Sequence, residues 1–117
     1  MALLHFGMCE VAGMLGPIEI GIHGDADGAD RLADAWFRYQ GIPVLKFPVK
    51  WSEIDIPGAR VRWNRRGFYN ALAGTWRNQT MLDEGKPTAF LAMPGGTGTA
   101  DMIRRCREAK IPGLVVD

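Results

Sequence analysis

The sequence predicts an α/β fold in which helices cover both faces of a mainly parallel sheet. Short apolar or alternating segments of strand length recur along the chain, and segments with helical periodicity separate them. This alternation is typical of βαβ units, whose strands run parallel. The chain has 117 residues, 47% of them hydrophobic, which is enough for one buried core. We therefore expect residues 1–117 to form a single domain.

Periodicity predicts four elements in the first part of the chain. They are, in order, a helix over residues 3–15, a strand over 18–23, a helix over 28–40 and a strand over 43–47. The first helix should end at Gly16, because Pro17 follows it. Asp27 is placed as the N-cap of the second helix, where its carboxylate would accept hydrogen bonds from the N–H groups of the first turn. Gly41 is placed as the glycine that ends this helix.

The second part of the chain predicts a long loop followed by two further helix–strand units. The predicted elements are a loop over 49–69, a helix over 71–84, a strand over 88–93, a helix over 98–110 and a strand over 113–116. The loop has no clear period and contains Pro57 and Gly58. Loops of this length in compact domains are usually functional or disordered. The last helix should turn Cys106 inward and its arginines outward.

The composition does not favour a nucleic-acid or membrane partner. The net charge is +1, although residues 48–78 carry a local excess of arginine. No apolar run approaches the roughly 20 residues that cross a bilayer, and the N-terminus lacks the basic start of a signal peptide. Cys9 and Cys106 match no metal or redox spacing, so we expect two buried thiols. These features predict a soluble, cytoplasmic protein without a metal or cofactor.

The strongest motif is the glycine-rich turn at residues 94–99, which lies between an apolar strand and a helix. Its glycines allow a sharp turn and a close approach to a ligand. The helix that follows offers free N–H groups and a positive dipole end, both of which suit a phosphate. The alternative is a turn that only connects strand to helix. The residues expected to bind the ligand here are Gly95, Gly96, Thr97, Gly98 and Thr99.

A cluster of carboxylates follows the first predicted strand, at the edge of the sheet where ligands gather. Gly24 begins this segment, and Asp25 and Asp30 are candidate contacts to a sugar hydroxyl or an amine. The spacing does not fit a calcium loop. The alternative is that Asp27 and Asp30 only cap and charge the helix start. His23 is predicted to be a structural residue at the strand end.

Two arginine-containing segments complete the candidate site. Arg77, one turn into its helix, can reach a phosphate bidentately, with Asn78 beside it; an exposed salt bridge is the alternative. The segment 60–69 combines four arginines with Trp63 and Phe68. Aromatic stacking and positive charge are what single-stranded nucleic acids require. The alternative, which the overall charge favours, is a solvated loop pinned by its aromatic residues.

Five blocks of the sequence resemble the YspA-related branch of the SLOG superfamily, which is related to LOG and DprA-type domains. The blocks are residues 24–33, 47–51, 69–79, 81–85 and 94–102, in this order. The resemblance implies a Rossmann-like, three-layer α/β/α domain with a mainly parallel sheet of four to five strands. It also implies binding of a nucleotide or nucleotide-derived signal, a place in signalling or in phage and bacterial conflict, and association into a homo-oligomer.

The chain departs from its LOG-type relatives at the catalytic position of their turn. Phosphoribohydrolases of that type carry the pattern PGGxGTxxE, and Met102 stands here in place of the glutamate. Asp101 is one residue earlier, about 100° around a helix, and Asp25 is another candidate base. Hydrolysis of an N-glycosidic or phosphate bond is therefore the alternative to simple binding, and the catalytic residue is not identified.

The chain also lacks the strand with which SLOG domains usually begin. Three explanations are open: residues 2–6 form a shortened strand, residues 18–23 lie beside residues 88–93, or a partner chain completes the sheet. A third function follows from this departure, in which the protein serves assembly and its ligand site is degenerate.

Overall fold

The computed structural model describes residues 2–116 and contains, within them, four helices and six strands. The helices are α1 (Ala2–Leu15), α2 (Ala29–Tyr39), α3 (Ala73–Gly85) and α4 (Thr97–Glu108). The strands are β1 (Gly21–His23), β2 (Val44–Lys46), β3 (Val61–Asn64), β4 (Gly67–Asn70), β5 (Phe90–Ala92) and β6 (Gly113–Val115). Among these residues no helix has both the length and the apolar character that a bilayer-spanning segment needs. The predicted mixed α/β class is confirmed.

The strands form pairs rather than one continuous sheet. β1 runs parallel to β2 with Gly21 opposite Val44, and β5 runs parallel to β6 with Phe90 opposite Gly113. β3 and β4 form an antiparallel hairpin. Within residues 2–116, β1 and β5 do not pair, so the four to five strands expected in one sheet are divided between two parallel pairs.

The N-terminal segment is a helix throughout its described length. Residues 2–6 belong to α1, so the shortened strand considered for them is wrong, and so is a pairing of residues 18–23 with 88–93. Leu4, Met8 and Val11 are buried at successive turns of α1. This spacing places one apolar stripe on the core, and the burial of each such side chain contributes about 1.5–3 kcal/mol.

Gly7 explains how α1 packs closely on the second parallel pair. A Cβ at this position would lie 2.7 Å from Leu91 Cδ1 and 3.3 Å from Val116 Cγ2. The glycine therefore weakens the helix locally but lets its backbone approach β5 and the residue that follows β6. On its other side α1 contacts α2, where Leu4 and Met8 meet Phe37 in the buried core. α1 thus lies against both halves of the structure.

Two predicted details of the helix ends and thiols are corrected. The N-cap of α2 is Gly28 at φ 81°, not Asp27, and no side chain of the described residues caps this end. Asp27 is exposed and lies 3.5 Å from the guanidinium of Arg31, a weak surface pair. Gly41, at φ 72°, follows α2 as predicted. Cys106 is buried as expected, whereas Cys9 is exposed.

The predicted loop at 49–69 contains a β-hairpin, which the sequence analysis missed. β3 and β4 are joined by Arg65 and Arg66, and Gly67 takes φ 110° where the chain returns. A backbone hydrogen bond anchors the base of the hairpin: the backbone N–H of Asn70 donates to the Trp51 carbonyl at 2.8 Å. The hairpin shows little apolar alternation because most of its side chains are exposed.

Candidate functional site

Arg77 joins the carboxyl ends of the first parallel pair. Its Nη1 donates to the carbonyl oxygen of Gly24, which follows β1, and to that of Phe47, which follows β2, at 3.1 Å in the latter case. A Cβ at residue 24 would overlap the guanidinium, so this position requires glycine for the close approach. Arg77 is therefore a clamp between two loops.

The charge of Arg77 is held in a partly buried place. Burial lowers the pKa of the guanidinium from its ordinary value, and the neighbouring Asp30 carboxylate acts in the opposite direction. Arginine stays protonated in proteins, so a positive charge lies at the carboxyl ends of β1 and β2. This charge attracts an anion even though its Nη1 already donates to two carbonyls.

Asp30 organises the loop that follows β1. Its Oδ2 accepts from the backbone N–H groups of Gly24 at 3.2 Å and Ala26 at 3.1 Å. Between them, Asp25 adopts the left-handed region at φ 54°, where a non-glycine residue is uncommon and Asp is among those that tolerate it. Asp30 thus shapes the loop, and Asp25 is its half-buried carboxylate at the end of β1.

His23 is buried and both of its ring nitrogens are engaged. Nδ1 accepts from the Asp25 N–H at 2.9 Å, and Nε2 lies 2.9 Å from Asp34 Oδ1. The first contact requires an unprotonated Nδ1, so the hydrogen is on Nε2 and is donated to Asp34. The hydrogen bonds from His23 and Arg38 lower the pKa of Asp34 to about 2. This arrangement agrees with the structural role predicted for His23.

Asn78 connects the clamp to the glycine-rich turn. Its Oδ1 accepts from Arg77 Nε at 3.0 Å, and its Nδ2 donates to the Gly98 carbonyl at 3.3 Å and to Asp101 Oδ2 at 3.0 Å. The side chain is buried between α3 and α4. The structure therefore links the two loops of the first pair to the start of α4 through one polar network.

Asp101 accepts from three side chains. Arg104 Nη2 donates to Oδ1 at 2.7 Å, and Arg105 Nε donates to Oδ2 at 2.8 Å, beside the bond from Asn78. Burial raises the pKa of this carboxyl, but the hydrogen bonds outweigh it, and the net pKa lies below the ordinary value. A carboxylate with a lowered pKa is a weaker base. In the sequence, the signal for this network is that Arg104 and Arg105 follow Asp101 by three and four residues, a spacing that makes side chains neighbours on a helix surface.

The glycine-rich turn leads into an uncapped helix. Gly96 is the N-cap of α4, and no side chain within residues 2–116 caps it. The first intrahelical bond runs from Ala100 N to Gly96 O at 3.1 Å, so the amides of residues 97–99 precede the hydrogen-bonded ladder. Thr99 lies over Gly95, where a Cβ would meet its hydroxyl. Cβ atoms at Gly96 and Gly98 would enter open space.

Two cavities flank the network, and four of the ten predicted ligand-binding residues line them. The first, of about 320 Å³, lies at the carboxyl ends of β5 and β6 and includes Gly95, Gly96 and Thr99. The second, of about 340 Å³, lies between β2 and α3 and includes Arg77. The other six line neither of these two cavities: Gly24, Asp25, Asp30, Asn78, Thr97 and Gly98. Lysine and aromatic residues missed by the sequence analysis line the second cavity: Lys46, Lys50, Phe47 and Trp76.

No protein-family model, curated protein or solved structure matches the chain. Among residues 2–116, no group of three or more His, Cys, Asp or Glu side chains is placed to hold a metal ion.

Proposed function

We propose that this chain binds a nucleotide or nucleotide-derived ligand by a phosphate at the 94–99 turn. One observation carries the proposal: the N-terminus of α4 is uncapped and opens on a cavity of about 320 Å³. A helix N-terminus presents N–H donors and the positive end of the helix dipole, which together favour an anion. The open approach at Gly96 and Gly98 leaves room for phosphate oxygens.

In the proposed complex the phosphate accepts from the backbone amides of residues 97–99. Thr97 and Thr99 supply hydroxyl donors, which add hydrogen bonds to a charged acceptor. Arg77 contributes its charge and, through Asn78, steadies the Gly98 carbonyl. Its Nη1 donates to two backbone carbonyls, so we assign Arg77 a positioning role. Asp25 is proposed to meet a sugar hydroxyl or an amine.

We also propose that the two parallel pairs are the two halves of a Rossmann-like, three-layer domain of the SLOG type. Both pairs run parallel, and helices follow β1 and β5 as they do in βαβ units. The glycine-rich turn follows β5, where such folds bind ligands. A place in signalling or phage and bacterial conflict follows from the same resemblance, as does a homo-oligomer, which light scattering on the purified chain tests.

The alternative of a hydrolase receives less support from the geometry. Asp101, the base nearest the turn, accepts from three side chains and has a lowered pKa. Such a carboxylate is poorly suited to take a proton from water near neutral pH.

Calorimetric titration with AMP, ADP, ATP, ADP-ribose and cyclic nucleotides tests the proposed binding. Gly96→Val adds a side chain in open space in front of the amides, so we expect at least a tenfold weaker affinity with the fold preserved. Gly13→Val is the matched control, since residue 13 is also an exposed glycine with open space around it, on α1. Equal affinities of the two variants, or no binding by the wild-type chain, would contradict the proposal.

A further inference from the structure

The hairpin β3–β4 contains two paired aromatic residues that are exposed rather than buried against the rest of the fold. Trp63 and Phe68 are direct partners across the hairpin, and their side chains are 69% and 64% exposed. Partners of this kind have Cβ atoms about 4.5–5.5 Å apart on the same face of the ladder. Aromatic side chains normally contribute by burial, so two adjacent exposed rings indicate an interaction surface.

The hairpin is anchored at its base, on the side of β4. Asn70 is fully buried at the base, where its Oδ1 accepts from the Arg60 amide at 3.1 Å and the Leu72 amide at 3.0 Å. Tyr69 is held by an edge contact with Trp51, with ring centroids 6.3 Å apart. The base therefore anchors the hairpin, whereas Trp63 and Phe68 extend beyond these anchoring contacts.

The charge of the hairpin complements a polyanion. Residues 59–71 contain four arginines and no acidic residue. Within residues 2–116 none of these four forms an ion pair, in contrast to four arginines elsewhere that each contact a carboxylate. The hairpin arginines are Arg60, Arg62, Arg65 and Arg66, and the paired arginines are Arg31, Arg38, Arg104 and Arg105.

We propose that the hairpin binds single-stranded nucleic acid, with Trp63 and Phe68 stacking on bases and the two turn arginines, Arg65 and Arg66, contacting phosphates. Exposed rings beside unpaired cations are the two components of sequence-tolerant single-strand binding. A duplex does not offer free base faces to such rings. A membrane is less suited, because the turn itself holds Arg65 and Arg66 and would carry two charges into the lipid. The net charge of +1 did not favour this partner, but the local charge does.

Fluorescence anisotropy with labelled 12-nucleotide dT and U oligomers tests the proposal and distinguishes DNA from RNA. We expect binding at low salt, with a slope of log K against log salt of roughly −1.4 for phosphate contacts by the two turn arginines. Trp63→Ala and Phe68→Ala should each weaken binding by about 5- to 150-fold, as expected for the loss of one stacked base. Arg65→Gln and Arg66→Gln should each make the slope shallower by roughly 0.7.

Tyr39→Ala is the matched control, because Tyr39 is an aromatic residue on α2 that is 89% exposed. Circular dichroism should be unchanged in every variant, since the substituted side chains are exposed. Three results would overturn the proposal: no binding to either oligomer at low salt, an equal loss in Tyr39→Ala, or preference for a duplex of the same length. Binding to phosphatidylserine vesicles that the hairpin substitutions abolish, without oligomer binding, would assign the surface to membranes instead.

Discussion

At the scale of single residues, Asn78 and Asp34 show how polar side chains build the candidate site from within. Asn78 accepts from Arg77 and donates to the Gly98 carbonyl and to Asp101, so one buried amide joins two loops to one helix start. Asp34 accepts from His23 and from Arg38 and so fixes the imidazole at the end of β1. Removal of one partner from such a network leaves another polar group without its bond.

The stability of the protein should depend on Asp34 in acid. Its pKa is lowered from 3.8 to about 2 in the folded state, so its contribution is complete above the ordinary value and is lost as the pH falls towards 2. Urea unfolding at about pH 5 and about pH 2.5 should therefore show a smaller loss of unfolding free energy in Asp34→Asn than in the wild-type chain. Asp27→Asn, at a fully exposed carboxylate, is the control and should behave like the wild type. An equal acid loss in all three chains would contradict the assignment.

The role of a residue could be predicted from the sequence where a local pattern determines it, but not where backbone conformation or a distant contact does. The glycine-rich turn is recognisable because glycine density before a helix is a local property, and α4 begins at Thr97. Asp27 was assigned the N-cap of α2 on its residue type, but the chain enters the helix through Gly28 at φ 81°, a backbone choice that composition does not reveal. The clamp by Arg77 joins positions 53 residues apart, which no local pattern encodes.

At the scale of elements, α1 packs against both α2 and the second parallel pair. Its core stripe meets Phe37 of α2, and its backbone approaches Leu91 of β5 at Gly7. The helix was predictable from apolar spacing despite its two glycines. The reason for Gly7 became visible only with Leu91 beside it, because the contact lies between distant parts of the chain.

The two glycines of α1 should respond in opposite ways to the same substitution. Gly7→Val would force side-chain atoms against Leu91 and Val116, and overpacking of this kind costs about 1–3 kcal/mol. Gly13→Val meets open space and replaces a poor helix former, so the unfolding free energy should stay constant or rise slightly. Urea denaturation of the two variants measures the difference. Equal stability of both would contradict the close packing of α1 on β5.

The hairpin β3–β4 shows where the prediction of elements failed. Strand prediction rests on alternation between a buried and an exposed face, but all four residues of β3 are exposed. Gly67 at the return of the chain was the available signal, since a positive φ after a short turn is typical of hairpins. The exposure of its side chains removes the alternation by which strands are predicted, and the same exposure makes the hairpin a candidate interaction surface.

At the scale of the whole molecule, the mixed α/β class and the parallel pairing of β1 with β2 and of β5 with β6 followed from the order of elements. The division into two parallel pairs did not, because pairing between β1 and β5 depends on long-range geometry rather than on either strand's composition. The polar network crosses this division: Arg77 binds loops of the first pair, and Asn78 binds the turn after β5. A ligand held at that turn would lie at one end of the network.

Amide chemical shifts measure the proposed site most directly. Titration of the ¹⁵N-labelled chain with the tightest-binding nucleotide should shift the amide resonances of residues 97–99 first, because these groups are expected to donate to the phosphate. Inorganic phosphate should shift the same amides at higher concentration. Saturable shifts confined to other residues, with residues 97–99 unchanged, would contradict phosphate binding at the start of α4.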